Sequence, residues 1–292
     1  MAHKAGFVNI IGKPNVGKST LMNAMVGEKL SIITSKAQTT RHRIHGILNS
    51  PDYQIVFSDT PGILDPSYKL QETMVKAARS ALEDADVLIY LTEIGENPDV
   101  ENAFIQKVAK SKIPVLLVIN KIDLSDQEKV KRCMEEWSQI LPSAELIPIS
   151  ALKKFNVELI FQRILEHLPE SPPFYSKDAL TDKSERFFVG EMIREKILLF
   201  YKQEIPYAVE IEVESFKEDH KLIRISAVIY VERESQKGIL IGNQGKALKK
   251  VGREARLDME TFFGKKVFIE LRVKVKKDWR NNERLIKKFG YH

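Results

Sequence analysis

Residues 12–19, Gly-Lys-Pro-Asn-Val-Gly-Lys-Ser, constrain the fold of this chain more than any other stretch, because the segments on either side are of fixed kinds. The apolar run Phe7 to Ile11 before them reads as a buried strand, and Leu21 to Val26 after them as the start of a helix. A strand-to-helix turn aims several backbone NH groups and the positive end of a helix dipole at one point, which makes that point an anion site. The pattern G-x-x-x-x-G-K-[ST] assigns the parts. Gly12 and Gly17 let the backbone approach phosphate oxygens, Lys18 can reach the outer phosphates, and the Ser19 hydroxyl can ligate magnesium. The candidate phosphate site is therefore the whole loop: Gly12, Lys13, Pro14, Asn15, Val16, Gly17, Lys18, Ser19 and Thr20.

Downstream, short apolar runs alternate with longer amphipathic stretches as far as Leu168, the pattern of a mostly parallel sheet covered by helices, a doubly wound α/β domain. Further strands are expected at Ile44 to Leu48, Gln54 to Ser58, Val87 to Leu91, Val115 to Ile119 and Leu146 to Ile149. Helices are expected at Thr73 to Glu83, Val100 to Ala109, Asp126 to Gln139 and Val157 to His167. The proline-rich Leu168 to Pro173 breaks any helix, so the first domain is placed at 1–170 and a linker at 171–180. A chain of 292 residues with 43% hydrophobic content favours a second domain, at 181–292. The single Cys133 excludes an internal disulfide framework and fits a reducing compartment, so a cytoplasmic location is expected. Val115 to Ile119 is far too short to span a bilayer, and the first six residues carry no signal-peptide pattern.

In the second domain, apolar residues at Phe187, Phe188, Met192, Ile193, Ile197 and Phe200 have helical spacing over 182–201. Period-two alternation at Ala208 to Glu214 and Leu222 to Val228 reads as two half-buried strands. A short helix at Gln236 to Ile241, a Gly-Asn-Gln-Gly turn, a helix at Lys246 to Phe262 and a strand at Lys266 to Val275 complete an α-β-β-α-α-β order. From Arg233 onward the chain holds 17 lysines and arginines against 7 acids, whereas the remainder holds 29 against 33. A basic third on a mildly acidic body suggests a polyanion-binding module; charge alone fits a solvated face equally well.

Three further motifs in the first domain each follow a strand. Asp59-Thr60-Pro61-Gly62 lies at the carboxyl edge of the sheet, where Asp59 can serve the magnesium shell and the Gly62 backbone a terminal phosphate. Asn120-Lys121-Ile122-Asp123 follows the most apolar strand. A carboxylate at Asp123 can accept both NH groups on the Watson–Crick edge of guanine, while adenine would leave it desolvated and unpaired. Asn120 can bond a ring acceptor and hold the loop, and the Lys121 stem can cover the base. In Ser150-Ala151-Leu152, the Ala151 NH is a candidate donor to the guanine carbonyl.

With these motifs in order, residues 6–168 resemble the translation-factor-like GTPases, which implies GTP and GDP as ligands with Mg2+ as cofactor. In that family a threonine ahead of the second strand closes over magnesium and the γ-phosphate. Gln38-Thr39-Thr40-Arg41-His42 matches, and the role is assigned to Thr40 over Thr39. The catalytic set implied is Lys18, Thr40, Gly62 and Asn15, with Ser19, Thr40 and Asp59 around the metal. Many such GTPases carry a water-orienting glutamine after D-x-x-G, but this chain has Ile63, read as packing. Related members lacking it often use a loop asparagine to hold K+, and Asn15 stands there; slow, potassium-stimulated hydrolysis is expected.

The G-x-x-G turn Gly242-Asn243-Gln244-Gly245, inside the α-β-β-α-α-β order, looks like the type II KH domain, an α+β RNA-binding fold smaller than the first domain. Its candidate RNA residues are Ile241 and the turn itself, flanked by Lys237, Lys246, Lys249, Lys250 and Arg253. Ile239, Leu240 and Ile241 fit either a groove floor or the core, whereas Phe262, Phe263 and Phe268 read as core. The basic tail 276–284 is expected to extend the RNA surface around a packed Trp279. No histidine has metal-ligand spacing.

The GTPase-linker-KH order, with Lys13 to Thr20, Gln38 to Arg41, Asp59 to Gly62 and Glu232 to Gly242, resembles the Era family over nearly the full chain. That resemblance implies a GTP-hydrolysing switch, expected to be a monomer, that binds the 3′ end of 16S ribosomal RNA and assists small-subunit assembly. Members of the family also associate peripherally with the inner membrane. A membrane-surface GTPase whose basic third binds anionic lipid is the rival reading.

Overall fold

The computed structural model describes residues 2–96 and 103–291. The chain divides into two compact units. One comprises residues 1–31, 40–65 and 74–182, the other 32–39, 66–73 and 183–292.

In the first unit, strands β1 (Lys4–Ile11), β2 (Ile44–Asn49), β3 (Tyr53–Asp59), β4 (Val87–Glu93), β5 (Val115–Asn120) and β6 (Glu145–Pro148) form one sheet. Its order is β2-β3-β1-β4-β5-β6, parallel except for β2 against β3. The helices are α1 (Lys18–Val26), α2 (Lys69–Ser80), α3 (Ala103–Ala109), α4 (Gln127–Ile140) and α5 (Val157–His167). The first turn of α2 is assigned to the second unit. Of the helix expected at 100–109, residues 100–102 lie outside the described residues. The central strands are buried on both faces, so they read as continuous apolar runs rather than alternating ones. One face packs Leu88, Tyr90, Leu117 and Ile119 on Trp137 and Cys133 of α4. Asp126 caps α4 by accepting from the Lys129 NH. Register sets the functional edge: Ile10 lies opposite Asp59 and Glu93 opposite Asn120, so every motif loop leaves the sheet at the same end.

The second unit contains α6 (Glu185–Phe200), the one-turn α7 (Ile205–Ala208), β7 (Glu210–Glu218), β8 (Leu222–Val231), α8 (Glu234–Ile241), α9 (Lys246–Phe263), β9 (Lys266–Val275) and α10 (Glu283–Lys288). Its sheet runs β7-β8-β9, with β7 antiparallel to β8 and bulged between Val213 and Ser215, and β9 parallel to β8. The parallel pair requires a crossover, which α8 and α9 supply. Val251, Ala255 and Met259, four apart on α9, bury one stripe against Ile193 and Ile197 of α6 and Ile225 of β8.

Two expectations differ from the structure. Phe268 is 51% exposed, and Phe262 is 43% exposed with its ring 5.4 Å from that of buried Phe188, whereas Phe263 packs on the core. Trp279 is packed as expected, fully buried in a short 3-10 turn, and donates to the Ala208 carbonyl at 2.9 Å. Arg280, expected at an RNA surface, is instead paired with Glu232 and lies 4.6 Å from the Tyr68 ring.

Candidate functional site

The loop between β1 and α1 is shaped by close approach. Gly17 caps α1 with φ +104°, and a Cβ there would stand 2.3 Å from Asn120 Nδ2. At Gly62 a Cβ would fall 2.7 Å from the Pro14 backbone, and Ile63 NH donates to the Gly12 carbonyl at 3.2 Å. The second and third motif loops therefore touch the first through atoms that only glycine leaves room for. Asn15 has φ +66° and is exposed at the tip. Thr60, Pro61 and Val16 are buried, and Thr60 donates to the Ile10 carbonyl at 2.8 Å; Thr20 is half-buried in the first turn of α1.

Lys18 is buried, and its ammonium donates to the carbonyls of Gly12 at 3.1 Å and Lys13 at 2.8 Å. Burial lowers its pKa to about 8 against the opposing pull of Asp59 and Glu96. Ser19 donates to Asp59 Oδ2 at 2.7 Å, Thr40 donates to the same oxygen at 3.1 Å, and the two hydroxyls are 2.9 Å apart. Burial raises the Asp59 pKa, while Ser19, Lys18 and Thr40 act in the opposite direction. Asp59 Oδ1 is buried without a hydrogen-bond partner. Two hydroxyls and a carboxylate whose second oxygen is orphaned fit a divalent cation with oxygen preference, so the residues present suit magnesium. Thr39 points elsewhere: its hydroxyl donates to the Lys36 carbonyl at 2.5 Å and meets Thr34 at 2.7 Å.

In the loops after β5 and β6, Asp123 is exposed in a 3-10 turn. Lys121 has φ +62° and pairs with Glu93. Asn120 donates to the Val16 carbonyl at 2.8 Å and accepts from the Ala151 NH at 2.9 Å. The Asn120 amide thus holds two loops together, as expected of it, and the Ala151 NH is directed at Asn120. The physical reason is burial, since both groups lie where an unpaired amide would be costly. Ser150 is buried and its hydroxyl accepts from the Lys153 NH at 3.1 Å, which tightens the turn and leaves Leu152 74% exposed.

Two acidic residues were not singled out from sequence. Glu93 pairs with Lys121, and Glu96 lies 3.1 Å from Lys13 and accepts from Thr92 at 2.9 Å. Their position at the end of β4, next to β1 in the sheet, is the signal that would have found them. Ile63 packs against the α4-side core, consistent with its having no polar role.

In the second unit, α8 ends at Gly242 with φ +70°, where a Cβ would meet Ala247 at 2.6 Å. Gln244 has φ +52° and Gly245 φ +73°, and α9 starts at Lys246. The turn projects Asn243 and Gln244 into solvent, and Ile241 is half-buried behind it. Leu240 is core, whereas Ile239 is 56% exposed. Lys246, Lys249, Lys250 and Arg253 share one face of α9. Lys250 sits 4.2 Å from the Phe200 ring, Arg253 pairs with Glu254 and Lys237 with Glu234, all exposed pairs of small worth that an incoming phosphate can displace. Lys246 and Lys249 form no ion pair among the described residues. Among those residues, too, no helix is long and apolar enough to cross a membrane.

Residues 7–121 match the family described as the 50S ribosome-binding GTPase, and residues 204–280 match the KH domain. GTPase Era of Clostridium kluyveri is 47% identical over 99% of this chain and 99% of its own length, and that of Staphylococcus haemolyticus 45% identical over 99% and 97%. The crystal structure of Era with MgGDPNP and nucleotides 1506–1542 of 16S ribosomal RNA superposes with a TM-score of 0.94 at 39% identity, covering 99% of both chains. A variant of Aquifex aeolicus Era bound to GDP and AlF4− gives 0.93 at 38% identity with the same coverage.

Proposed function

Because the chain belongs to the Era family of GTPases, we propose that it is a GTP-hydrolysing switch that binds single-stranded RNA at the 3′ end of 16S ribosomal RNA and assists small-subunit assembly. The observation that carries the switch is the convergence of Ser19, Thr40 and Asp59 beneath the phosphate loop. Thr40 belongs to a loop, and magnesium with the γ-phosphate would favour its place in that cluster over any withdrawn position. A magnesium ion there would be held by these three residues and would neutralise charge on the β- and γ-phosphates. Lys18 releases its loop carbonyls to meet the phosphates, and the Gly62 NH orients the terminal one. Asp123 selects guanine by accepting from its Watson–Crick edge, and the Lys121 stem, held by Glu93, flanks the base.

Ile63 cannot orient the attacking water, so intrinsic hydrolysis is slow. Asn15, exposed at the loop tip, would hold K+ beside the transferring phosphoryl group and supply positive charge there. Hydrolysis in potassium should exceed that in sodium, and Asn15→Ala should erase the difference. Equal rates in the two salts would remove the potassium role and leave the GTPase assignment intact.

The second unit binds the RNA strand at 241–246, with Lys249, Lys250 and Arg253 on phosphates and Lys237 at the other side of the turn. By linkage, GTP and RNA must raise each other's affinity if the switch operates. The test is binding of the 16S 3′-end RNA to the full chain with a GTP analogue, with GDP and with no nucleotide. Equal affinities would overturn the switch. Tighter binding to anionic liposomes than to RNA would favour the peripheral membrane reading.

A further inference from the structure

Helix α6 buries a charge pair that its packing does not require. Arg194 is 2% exposed and Glu191 8%, on a helix otherwise buried through Val189, Ile193 and Ile197. Arg194 Nε donates to Glu191 Oε1 at 2.7 Å and Nη2 to Oε2. Burial opposes the guanidinium charge, but Glu191, with smaller contributions from Tyr291 and Glu210, outweighs it and raises the pKa further. A buried ion pair is poor evidence of a stabilising role, because apolar residues of the same volume commonly serve the core as well. What apolar residues cannot supply is the remaining set of donors. Nη1 and Nη2 donate to the carbonyls of Gln38 and Thr39, the last two residues before Thr40.

The same loop holds the far end of α6. Lys36 donates to the carbonyls of Leu198 and Tyr201, which the helix terminus leaves without intrahelical partners. Burial, with Lys202 nearby, lowers the Lys36 pKa. Tyr201 in turn donates its hydroxyl to the Leu240 carbonyl at 2.7 Å, in the last turn of α8 and two residues before Gly242. On the other side of one peptide bond from Thr39, Thr40 places its hydroxyl 2.9 Å from Ser19 and 3.1 Å from Asp59. Residues 32–39 therefore pack as part of the second unit, while Thr40 packs in the first.

We propose that Arg194 is a positioning residue for the GTP-bound state, and that through it nucleotide at Thr40 and RNA at the 242–245 turn alter each other's affinity. The guanidinium accepts one conformation of the 38–39 backbone, the one that delivers Thr40 to the metal ligands. When Thr40 withdraws, Arg194 loses its two backbone acceptors and Lys36 loses its hold on the end of α6, which is tied to α8. RNA that favours the ordered α8 end then favours Thr40 at the metal, and GTP favours RNA by the same factor. The proposal rests on the switch reading given above.

The test measures the affinity of the full-length protein for the same RNA with Mg·GTP analogue and with Mg·GDP, in the wild type and two variants. Arg194→Lys keeps a charge beside Glu191 but cannot span two carbonyls. The double variant Arg194→Met with Glu191→Leu removes both charges together, so no unpaired ion stays buried. The wild type is expected to bind RNA at least about fivefold tighter with the analogue than with GDP. Both variants should bring that ratio to within about twofold of unity, with affinity for Mg·GDP and for RNA in the GDP state unchanged. A fivefold ratio retained in both variants would overturn the proposal alone, as would an equal loss of RNA affinity in both nucleotide states, the mark of a purely structural role. A wild-type ratio of one would overturn the switch reading and the proposal with it.

Discussion

Gly17 tolerates no side chain because of a residue far along the chain. Its φ of +104° and the 2.3 Å gap to Asn120 leave no room for a methyl group. Gly17→Ala should therefore weaken GDP binding roughly ten- to hundredfold, ~1–3 kcal/mol of strain and displacement, in a titration of the folded protein. Lys18 makes a second residue-scale prediction. Its free-state pKa of about 8 lies below the ordinary 10.5, so the charged form is disfavoured by burial. Bound phosphates favour that form and raise the pKa. Nucleotide binding near pH 8.5 should therefore take up protons, and the uptake should shrink toward zero near pH 7, where Lys18 already carries its charge. Calorimetry in buffers of different ionisation enthalpy measures this directly, and proton release at pH 8.5 would contradict it. Both residues were legible in the sequence as motif positions. That Asn120 is the neighbour Gly17 must avoid was not, since hydrogen bonds between separate loops leave no local signature.

At the scale of elements, Tyr201, which caps the end of α6, bonds to the last turn of α8 through a buried hydrogen bond. Burial pushes the Tyr201 phenol up to about 12, so it remains a donor throughout the physiological range. Tyr201→Phe would leave the Leu240 carbonyl short of that donor, at a cost of ~1–2 kcal/mol in urea unfolding. Helices and strands of both units lie close to where hydrophobic period places them, because each buries a continuous stripe or alternate face. Phe262 and Phe268 show the limit of that inference. Their chemistry is core-like, but both keep much of their surface exposed, Phe262 with its ring against Phe188, and period alone does not say how far a terminal turn or edge strand is covered.

For the whole molecule, charge is divided: the residues from Arg233 on carry a surplus of cations that the rest of the chain lacks. RNA binding should weaken linearly with the logarithm of salt, and Lys249→Ala should flatten the slope by about 0.7 if that lysine neutralises one phosphate. An unchanged slope would place Lys249 outside the interface. At this scale too, residues 32–39 and 66–73 join the second unit although they lie within the first domain's sequence. Tyr68 donates to Gln38 Oε1 at 2.7 Å, and Lys69 pairs with Glu283 at 3.1 Å. Nothing in a linear reading of either loop indicates this, because exposed polar residues look alike whether they meet water or another element.

Linear spacing was enough for the phosphate loop, the Asn120-Lys121-Ile122-Asp123 motif, the α/β and α+β orders and the basic turn. Each depends on local spacing, which backbone geometry converts to structure without reference to the rest of the chain. Only packing settled that Ser19 and Thr40 meet on one oxygen of Asp59, that the partners of Asn120 are Val16 and Ala151, and that Arg194 holds the backbone in front of Thr40. Those choices arise where buried polar atoms from distant segments must find partners, and which partners lie within 3 Å is settled by packing, not by order along the chain.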